Sequence, residues 1–219
     1  NPEIHIFSER FSSIPDATAP AVKVEVEELV SEEIIRRLKR DILDVGLFVT
    51  PYHDEKIVER PVFYEEMLVY AHPDCELLKK KEVGHEDIVT SDIWMLGNGH
   101  CFRNQVVNLC EMSASQHKNL PFEFESNSLE TLMRIVDVEG GFTLIPELAL
   151  QYMSPEKKKQ VRSIANTKPL REVSVIYSRH FTKQRLITLL CDEIKSVVPA
   201  HMLKRDRGMI VEWKAQKNE

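Results

Sequence analysis

The sequence predicts an α/β fold made of two units that are joined by crossover strands. Segment 22–26 has strand character, a helix-like segment follows Ser31, and an apolar run occupies 44–50. A strand–helix–strand order of this kind favours a parallel sheet. The chain leaves this first unit near Pro51 and is expected to return before Val173. Two such units would face each other across a cleft, which is where ligands commonly bind.

Local sequence features predict each element of the first unit. Residues 3–7 predict a short strand, whereas 12–21 contain two prolines that disfavour a helix. Residues 22–26 alternate apolar and polar side chains, as a half-buried strand does. Ser31 precedes two glutamates and an apolar series, so we expect it to be the N-cap of a helix.

The second unit and the return to the first follow the same patterns. Further strands are expected at 63–70, 93–96, 122–124, 142–145 and 173–177. Helices are expected from Phe102 onward, over 128–138, where two glycines end the helix, and over 184–198. The lysines at 79–81 indicate a solvated face, and the charged residues 204–219 indicate a tail or a partner-docking segment.

Composition narrows the classes of function. The chain has 219 residues, of which 42% are hydrophobic and 29% charged, so it can bury a globular core. Its 29 basic and 35 acidic residues give a net charge of -6, which disfavours binding to nucleic acid by this segment alone. We expect no membrane span and no signal peptide. Four cysteines are too few for a disulfide scaffold, which favours a reducing, cytoplasmic location.

Cys101 lies at a position where a reactive thiol is expected. It follows a glycine turn at the predicted start of a helix, where free backbone N–H groups and the helix dipole stabilise a thiolate. His100 and Arg103 can add positive charge beside it. A cysteine in such surroundings is a better nucleophile towards an oxidant at neutral pH.

Cys110 lies nine residues after Cys101. On an intact helix this spacing corresponds to roughly 13–14 Å, whereas a disulfide needs Cα atoms about 4.4–6.8 Å apart. Pairing of the two thiols would therefore unwind the helix and act as a conformational switch. Two unrelated free cysteines are the plainer alternative. A zinc site that also uses His100 and His117 lacks the usual ligand spacing. Of the other two cysteines, we expect Cys75 to lie in a loop and Cys191 to be a thiol packed within a helix.

Three stretches together carry a resemblance to a known family. They are Gly-His-Cys-Phe-Arg at 99–103 with Cys110, Ser-Leu-Glu-Thr-Leu at 128–132 with Gly-Phe-Thr-Leu-Ile-Pro at 141–146, and a weaker pattern over 28–44. The chain resembles the regulatory, effector-binding domain of LysR-type transcriptional regulators, and within that family its peroxide-sensing members. The resemblance extends from about residue 22 to 198. It implies two Rossmann-like α/β subdomains in an arrangement like that of periplasmic binding proteins.

The resemblance also implies a mechanism and a set of partners. Hydrogen peroxide would oxidise Cys101 to a sulfenic acid, and Cys110 would condense with it to a disulfide. The altered domain would change its packing in a dimer or tetramer, and thereby the contacts of the regulator with promoter DNA and RNA polymerase. Glutaredoxin or thioredoxin would reset the switch, and no cofactor or metal is implied. Promoter DNA would be bound through a winged helix-turn-helix domain, which is not found before Asn1.

Individual residues take roles from the same resemblance. Ser31 matches a threonine whose hydroxyl helps to hold peroxide, and Arg171 matches an arginine near the sensing thiol. His100 and Arg103 match directly. The family has a threonine just after its first strand, where this chain offers Ser8, Glu9 or Ser12. Subdomain I would comprise 1–56 and 172–219, and subdomain II, with the cysteines, would comprise 57–171.

Other functions remain as alternatives. A LysR-type domain could bind a small metabolite in its cleft, with cysteines that play no part in the response. A thiol peroxidase would need a thioredoxin-like setting for its cysteine, and that pattern is missing, so an enzyme is not expected. A periplasmic solute-binding protein shares the two-lobed architecture but would be made with a signal peptide.

Overall fold

The structure is a computed structural model that describes residues 24–89, 93–97, 101–110 and 128–212; for Cys101 and Cys110 it describes the backbone only. Its helices are α1 (Ser31–Leu38), α2 (His85–Ile88), α3 (Cys101–Cys110), α4 (Leu129–Glu139), α5 (Pro155–Lys158) and α6 (Gln184–Val197). Its strands are β1 (Gly46–Thr50), β2 (Ile57–Ala71), β3 (Phe142–Pro146), β4 (Val161–Arg162), β5 (Pro169–Ser178) and β6 (Met209–Ile210). Short 3₁₀ helices occupy Glu76–Lys79, Glu147–Tyr152, Ala200–Leu203 and Arg205–Arg207.

Two long strands, β2 and β5, form the centre of the sheet. The strand order is β1–β5–β2–β3, and each of these neighbours is antiparallel. The β2–β5 register runs from Ile57 opposite Ser178 to Glu66 opposite Leu170, with a shift beside Pro61. Proline has no N–H for the ladder, so a register shift there is expected. At the margins, β4 pairs with β2 and β6 pairs in parallel with β5.

The buried apolar side chains of the described ranges form three clusters around this sheet. The largest, which we call the α3 core, joins α3 and α4 to the second half of β2 and to β3. The second joins α6 to the first half of β2 and to β5. The third lies under α1, where Ile35 and Leu38 pack on Phe48 of β1. Since β2 and β5 each supply residues to more than one cluster, these two strands link the clusters to one another.

Most predicted elements with a clear apolar period are confirmed. Helix α4 begins after Ser128, whose hydroxyl accepts a hydrogen bond from the Thr131 N–H, and it ends at Gly140, which has a positive φ. Helices α3 and α6 and strand β3 also lie where the sequence predicts them. Strands β2 and β5 are longer than predicted, because they continue across the ends of the apolar runs.

Three local expectations are wrong. The described part of segment 22–26 forms no strand, and its residues are exposed, so its alternation does not face a core. Strand β1 pairs antiparallel with β5, which excludes the parallel strand–helix–strand unit predicted at its position. Ser31 is the first residue inside α1, and Val30 occupies the N-cap position.

The remaining expectations are met in part, fall outside the described residues or stay untested. Of the predicted strand 93–96, only Ile93 makes a bridge, to Phe142, although all four residues are buried. The predicted strands 3–7 and 122–124 and the candidates Ser8, Glu9 and Ser12 lie outside the described residues. The subdomain boundaries stay a prediction. Within the described ranges, no helix is both long enough and apolar enough to cross a membrane.

Candidate functional site

Helix α3 begins at one candidate cysteine and ends at the other. Its ten residues form an α-helix, as predicted. Phe102, Val106 and Leu109 recur at helical spacing and are buried in the α3 core, so tertiary packing holds the helix. Nine residues of α-helical rise separate the two cysteine backbones by roughly 13–14 Å. In this conformation the two residues are too far apart for a disulfide.

A buried ion pair lies beside the first turns of α3. The Arg171 side chain, on β5, donates from Nη1 to Oε1 of Glu65 on β2 at 2.8 Å. The two residues are direct cross-strand neighbours and are 3% and 0% exposed. The second Glu65 oxygen accepts the Leu148 backbone N–H at 3.2 Å. Pairing of both charges offsets much of the cost of burying them.

Arg171 connects this pair to α3. Its guanidinium carbon lies 4.9 Å from the ring centroid of Phe102, the residue after Cys101, in a cation–π arrangement. Its Nε donates to Oε1 of Gln105 at 3.1 Å. Since Glu65 neutralises the guanidinium, Arg171 contributes directed hydrogen bonds and packing to the helix rather than an isolated positive charge.

Both ends of α3 are tied to other segments. Arg103 is 5% exposed, and its Nη1 donates to the Leu96 carbonyl at 2.8 Å, which holds segment 93–97 against the helix. At the other end, His85 Nε2 donates to the Leu109 carbonyl at 2.6 Å. This bond satisfies one of the carbonyls that a helix C-terminus leaves free.

The other predicted site residues are not brought to α3 in the same way. Ser31 is buried at the start of α1, whose apolar side chains belong to a different cluster from that of α3. His100 and His117 lie outside the described residues. Among the described residues, no group of three or more His, Cys, Asp or Glu side chains is suited to hold a metal ion.

Cys75 and Cys191 match their predicted environments. Cys75 precedes a 3₁₀ helix and is half-buried, whereas Cys191 lies fully buried on α6; both are free thiols. Burial raises the pKa of the Cys191 thiol, which disfavours the reactive thiolate. Both residues therefore provide internal references for the reactivity of Cys101.

Sequence reasoning missed two residues of this site. Gln105 lies within the cysteine stretch, and its side chain contacts Arg171. Glu65 is an acidic residue at an inward position between Phe63 and Met67, which are both buried. A charged residue at a core position of a strand is a signal for a buried partner. Its partner Arg171 is 106 positions away, so the strand register was needed to identify it.

A second buried polar group lies on β1 and β5. Thr50 Oγ1 donates to Glu172 Oε1 at 2.8 Å and lies 2.5 Å from Ser174 Oγ. Glu172 also hydrogen-bonds Tyr64, whose pKa is raised by burial and by the Glu172 charge. These side chains satisfy one another, and the arrangement stabilises the sheet next to the site.

The chain matches a known protein family and several known proteins. A family model described as the LysR substrate binding domain matches residues 16–199. A hydrogen peroxide-inducible genes activator of Haemophilus influenzae is 25% identical over 189 residues, which cover 83% of this chain and 61% of the relative. The DNA-binding transcriptional dual regulator OxyR of Escherichia coli K12 is 26% identical over 191 residues, which cover 85% and 60%. The chain thus spans about three fifths of these relatives.

Solved structures show the same architecture. The crystal structure of reduced OxyR from Porphyromonas gingivalis matches with a TM-score of 0.79 and 25% identity, over 95% of this chain and 96% of that one. The reduced OxyR regulatory domain from Pseudomonas aeruginosa matches with a TM-score of 0.72 and 25% identity, over 89% and 92%. These matches confirm the predicted fold class of two α/β subdomains joined by crossover strands.

Proposed function

Because this chain belongs to the LysR substrate-binding domain family, we propose that it is the hydrogen-peroxide-sensing regulatory part of a transcription regulator. Relatives that are named for peroxide-inducible activation support the choice of signal. The observation that favours it most is α3, a helix that begins at one cysteine and ends at the other. A bond between its ends is incompatible with the helix, so oxidation would become a change of shape.

The chemistry requires two thiols and one peroxide molecule. The Cys101 thiolate attacks one peroxide oxygen, the O–O bond breaks, and the departing hydroxide takes a proton to become water. Cys101 is then a sulfenic acid. The Cys110 thiolate attacks the Cys101 sulfur, an S–S bond forms, and the hydroxyl leaves as a second water after protonation. The two thiols lose two electrons in total, and the peroxide gains these two electrons.

The position of Cys101 at the N-terminus of α3 supports its role as the first thiol to react. The first backbone N–H groups of a helix have no partner within the helix, and the dipole is positive there. Both effects favour the thiolate. Arg171 fixes the packing of Phe102 beside it, and we assign His100, Arg103 and Ser31 to the peroxide pocket from family resemblance.

The proposal extends to the whole regulator. Subdomain I (1–56 and 172–219) and subdomain II (57–171) would pack differently in a dimer or tetramer after oxidation. A DNA-binding domain outside this segment would contact promoter DNA and RNA polymerase, and cytoplasmic glutaredoxin or thioredoxin would restore the thiols. The length of the relatives, of which this chain covers about three fifths, supports a further domain in the complete protein.

Peptide mass spectrometry tests the sensing step. The reduced protein is treated with sub-stoichiometric hydrogen peroxide, and free thiols are trapped by alkylation. We expect rapid loss of two hydrogens and a crosslink between the Cys101 and Cys110 peptides, whereas Cys75 and Cys191 stay alkylatable. Cys101→Ser should abolish the crosslink, and Cys75→Ser, the matched control, should leave its rate unchanged.

The opposite result has a definite meaning. If Cys101 reacts no faster than Cys75, the peroxide proposal is wrong. A full-length regulator that keeps its transcriptional response in the Cys101→Ser variant would instead be a sensor of a small metabolite bound in the cleft between the subdomains.

A further inference from the structure

The residues after the last 3₁₀ helix dock between β5 and α3. We call residues 209–212 the C-terminal segment. Met209 and Ile210 form β6, which runs parallel to Pro169 and Leu170 of β5. The Val211 N–H donates to the Leu170 carbonyl at 2.9 Å, and the Val211 side chain is 7% exposed within the α3 core. This part of the expected charged tail is therefore integrated in the fold.

Two side chains of α3 also hold this segment. Gln105 Nε2 donates to the Val211 carbonyl at 2.9 Å, and Asn108 Nδ2 donates to the Glu212 carbonyl, also at 2.9 Å. The donors are three positions apart, so they lie on one face of the helix. Consecutive carbonyls of the segment thus depend on the helical spacing of Gln105 and Asn108.

The amide of Gln105 couples this segment to the buried ion pair. Only its nitrogen can donate to the Val211 carbonyl, so its oxygen must face Arg171 and accept from Nε. Gln105 is consequently a positioning residue. It links the buried ion pair to the C-terminal segment, and it lies between the two cysteines in sequence.

We infer that the C-terminal segment is a redox-dependent latch, which is bound by Gln105 and Asn108 in the dithiol protein and released in the disulfide protein. The inference rests on the proposed function, in which peroxide removes two electrons from the thiols and yields a disulfide and two waters. Gln105 and Asn108 lie inside the loop that the disulfide would close. Because that loop cannot remain an α-helix, the two donors lose their spacing and both bonds to the segment break.

Hydrogen exchange measured by mass spectrometry tests the latch. Exchange in residues 209–212 is compared between reduced protein and protein whose disulfide has been verified by peptide mapping. Loss of two hydrogen bonds predicts exchange at least about tenfold faster after oxidation, with reversal by dithiothreitol. A verified disulfide with unchanged exchange would overturn the latch and leave the sensing proposal intact. Absence of the disulfide would refute the sensing proposal, and the latch with it.

Variants test the same contacts without oxidation. Gln105→Glu keeps an acceptor for Arg171 but cannot donate to Val211, and Asn108→Asp is an isosteric change that removes the donor to Glu212. Each should accelerate exchange in residues 209–212 of the reduced protein several-fold. Asn108→Gln, which retains an amide donor, is the control and should restore much of the protection. Equal exchange in all variants and wild type would show that α3 does not hold the segment.

Discussion

At the scale of single residues, the Arg171–Glu65 pair determines the surroundings of α3. Both side chains are buried, and Arg171 also contacts Phe102 and Gln105 of the helix. A buried pair of this kind contributes little net stability by itself, but loss of one partner leaves an uncompensated charge in the core. The pair therefore makes the position of α3 sensitive to a single substitution on either strand.

Arg171→Met should lower the free energy of unfolding by about 3–5 kcal/mol, because Glu65 is then buried without its countercharge. Urea denaturation of the reduced protein measures this change. The double variant Glu65→Gln with Arg171→Met should recover a large part of the loss, since the glutamine can still accept from the Leu148 N–H. Equal instability of the single and double variants would mean that packing, and not charge, is responsible.

At the scale of elements, α4 shows how a few backbone positions define a helix. Ser128 caps its start, and Gly140 at its end has φ 80° and ψ -171°. That backbone conformation is accessible to glycine and strained for other residues. A Cβ at this position would meet nothing within 4 Å. Conformational strain alone therefore explains the glycine.

Gly140→Ala should destabilise the protein by about 1–3 kcal/mol through this strain, with no steric contribution. Thermal or urea unfolding measures the effect. Val138→Ala, on the same helix at a side chain that is 77% exposed, is the matched control and should change stability by less than about 0.5 kcal/mol. Similar stability of Gly140→Ala and wild type would contradict the strain argument.

At the scale of the whole molecule, a second set of charges fixes residues 201–207 to the sheet. Glu147 accepts from His201 Nε2 at 2.7 Å and from Arg207 Nη2 at 2.6 Å, and from the Glu66 backbone N–H at 3.0 Å. Burial alone would raise the pKa of Glu147, but these three donors together hold it below its usual range. Burial, with the charge of Glu147, raises the pKa of neighbouring Glu66.

The lowered pKa of Glu147 gives a pH dependence with a definite sign. The unfolded chain binds this proton more tightly than the folded one, so the stabilisation is complete above the usual carboxyl range and is lost as the pH falls through the folded pKa. Glu147→Gln should therefore cost about 1–3 kcal/mol at pH 7. The difference from wild type should shrink below about pH 4. Urea denaturation across this pH range tests it, and a difference independent of pH would contradict it.

Helices and strands whose determinants are local in the sequence could be predicted from the sequence alone. The apolar period, the serine cap and the terminal glycines predict α4 to within a residue or two, and the same holds for α6 and β3. Helix α3 was predicted on its glycine turn and its apolar spacing. Resemblance identified Arg171 as a neighbour of the sensing thiol, and the structure places it against the residue that follows Cys101.

Features that depend on distant pairing could not be predicted in the same way. An isolated strand pattern does not reveal its partner, so the antiparallel pairing of β1 with β5, more than 120 positions later, was missed. For the same reason Glu65 was not connected to Arg171. Because segment 204–219 is highly charged, the burial of Val211 was not predicted. The docking of this side chain depends on β5 and α3.

The long separation between β1 and β5 also has a consequence for the synthesis of the protein. Residues 67–164 supply all but one of the buried residues that we describe in the α3 core, so this core can form soon after they leave the ribosome. Strand β1 emerges earlier but must wait for its partner, Pro169–Ser178. At about 5–20 residues per second, that delay lasts roughly 6–25 seconds. Helix α3 can thus be folded before strand β1 has found its place in the sheet.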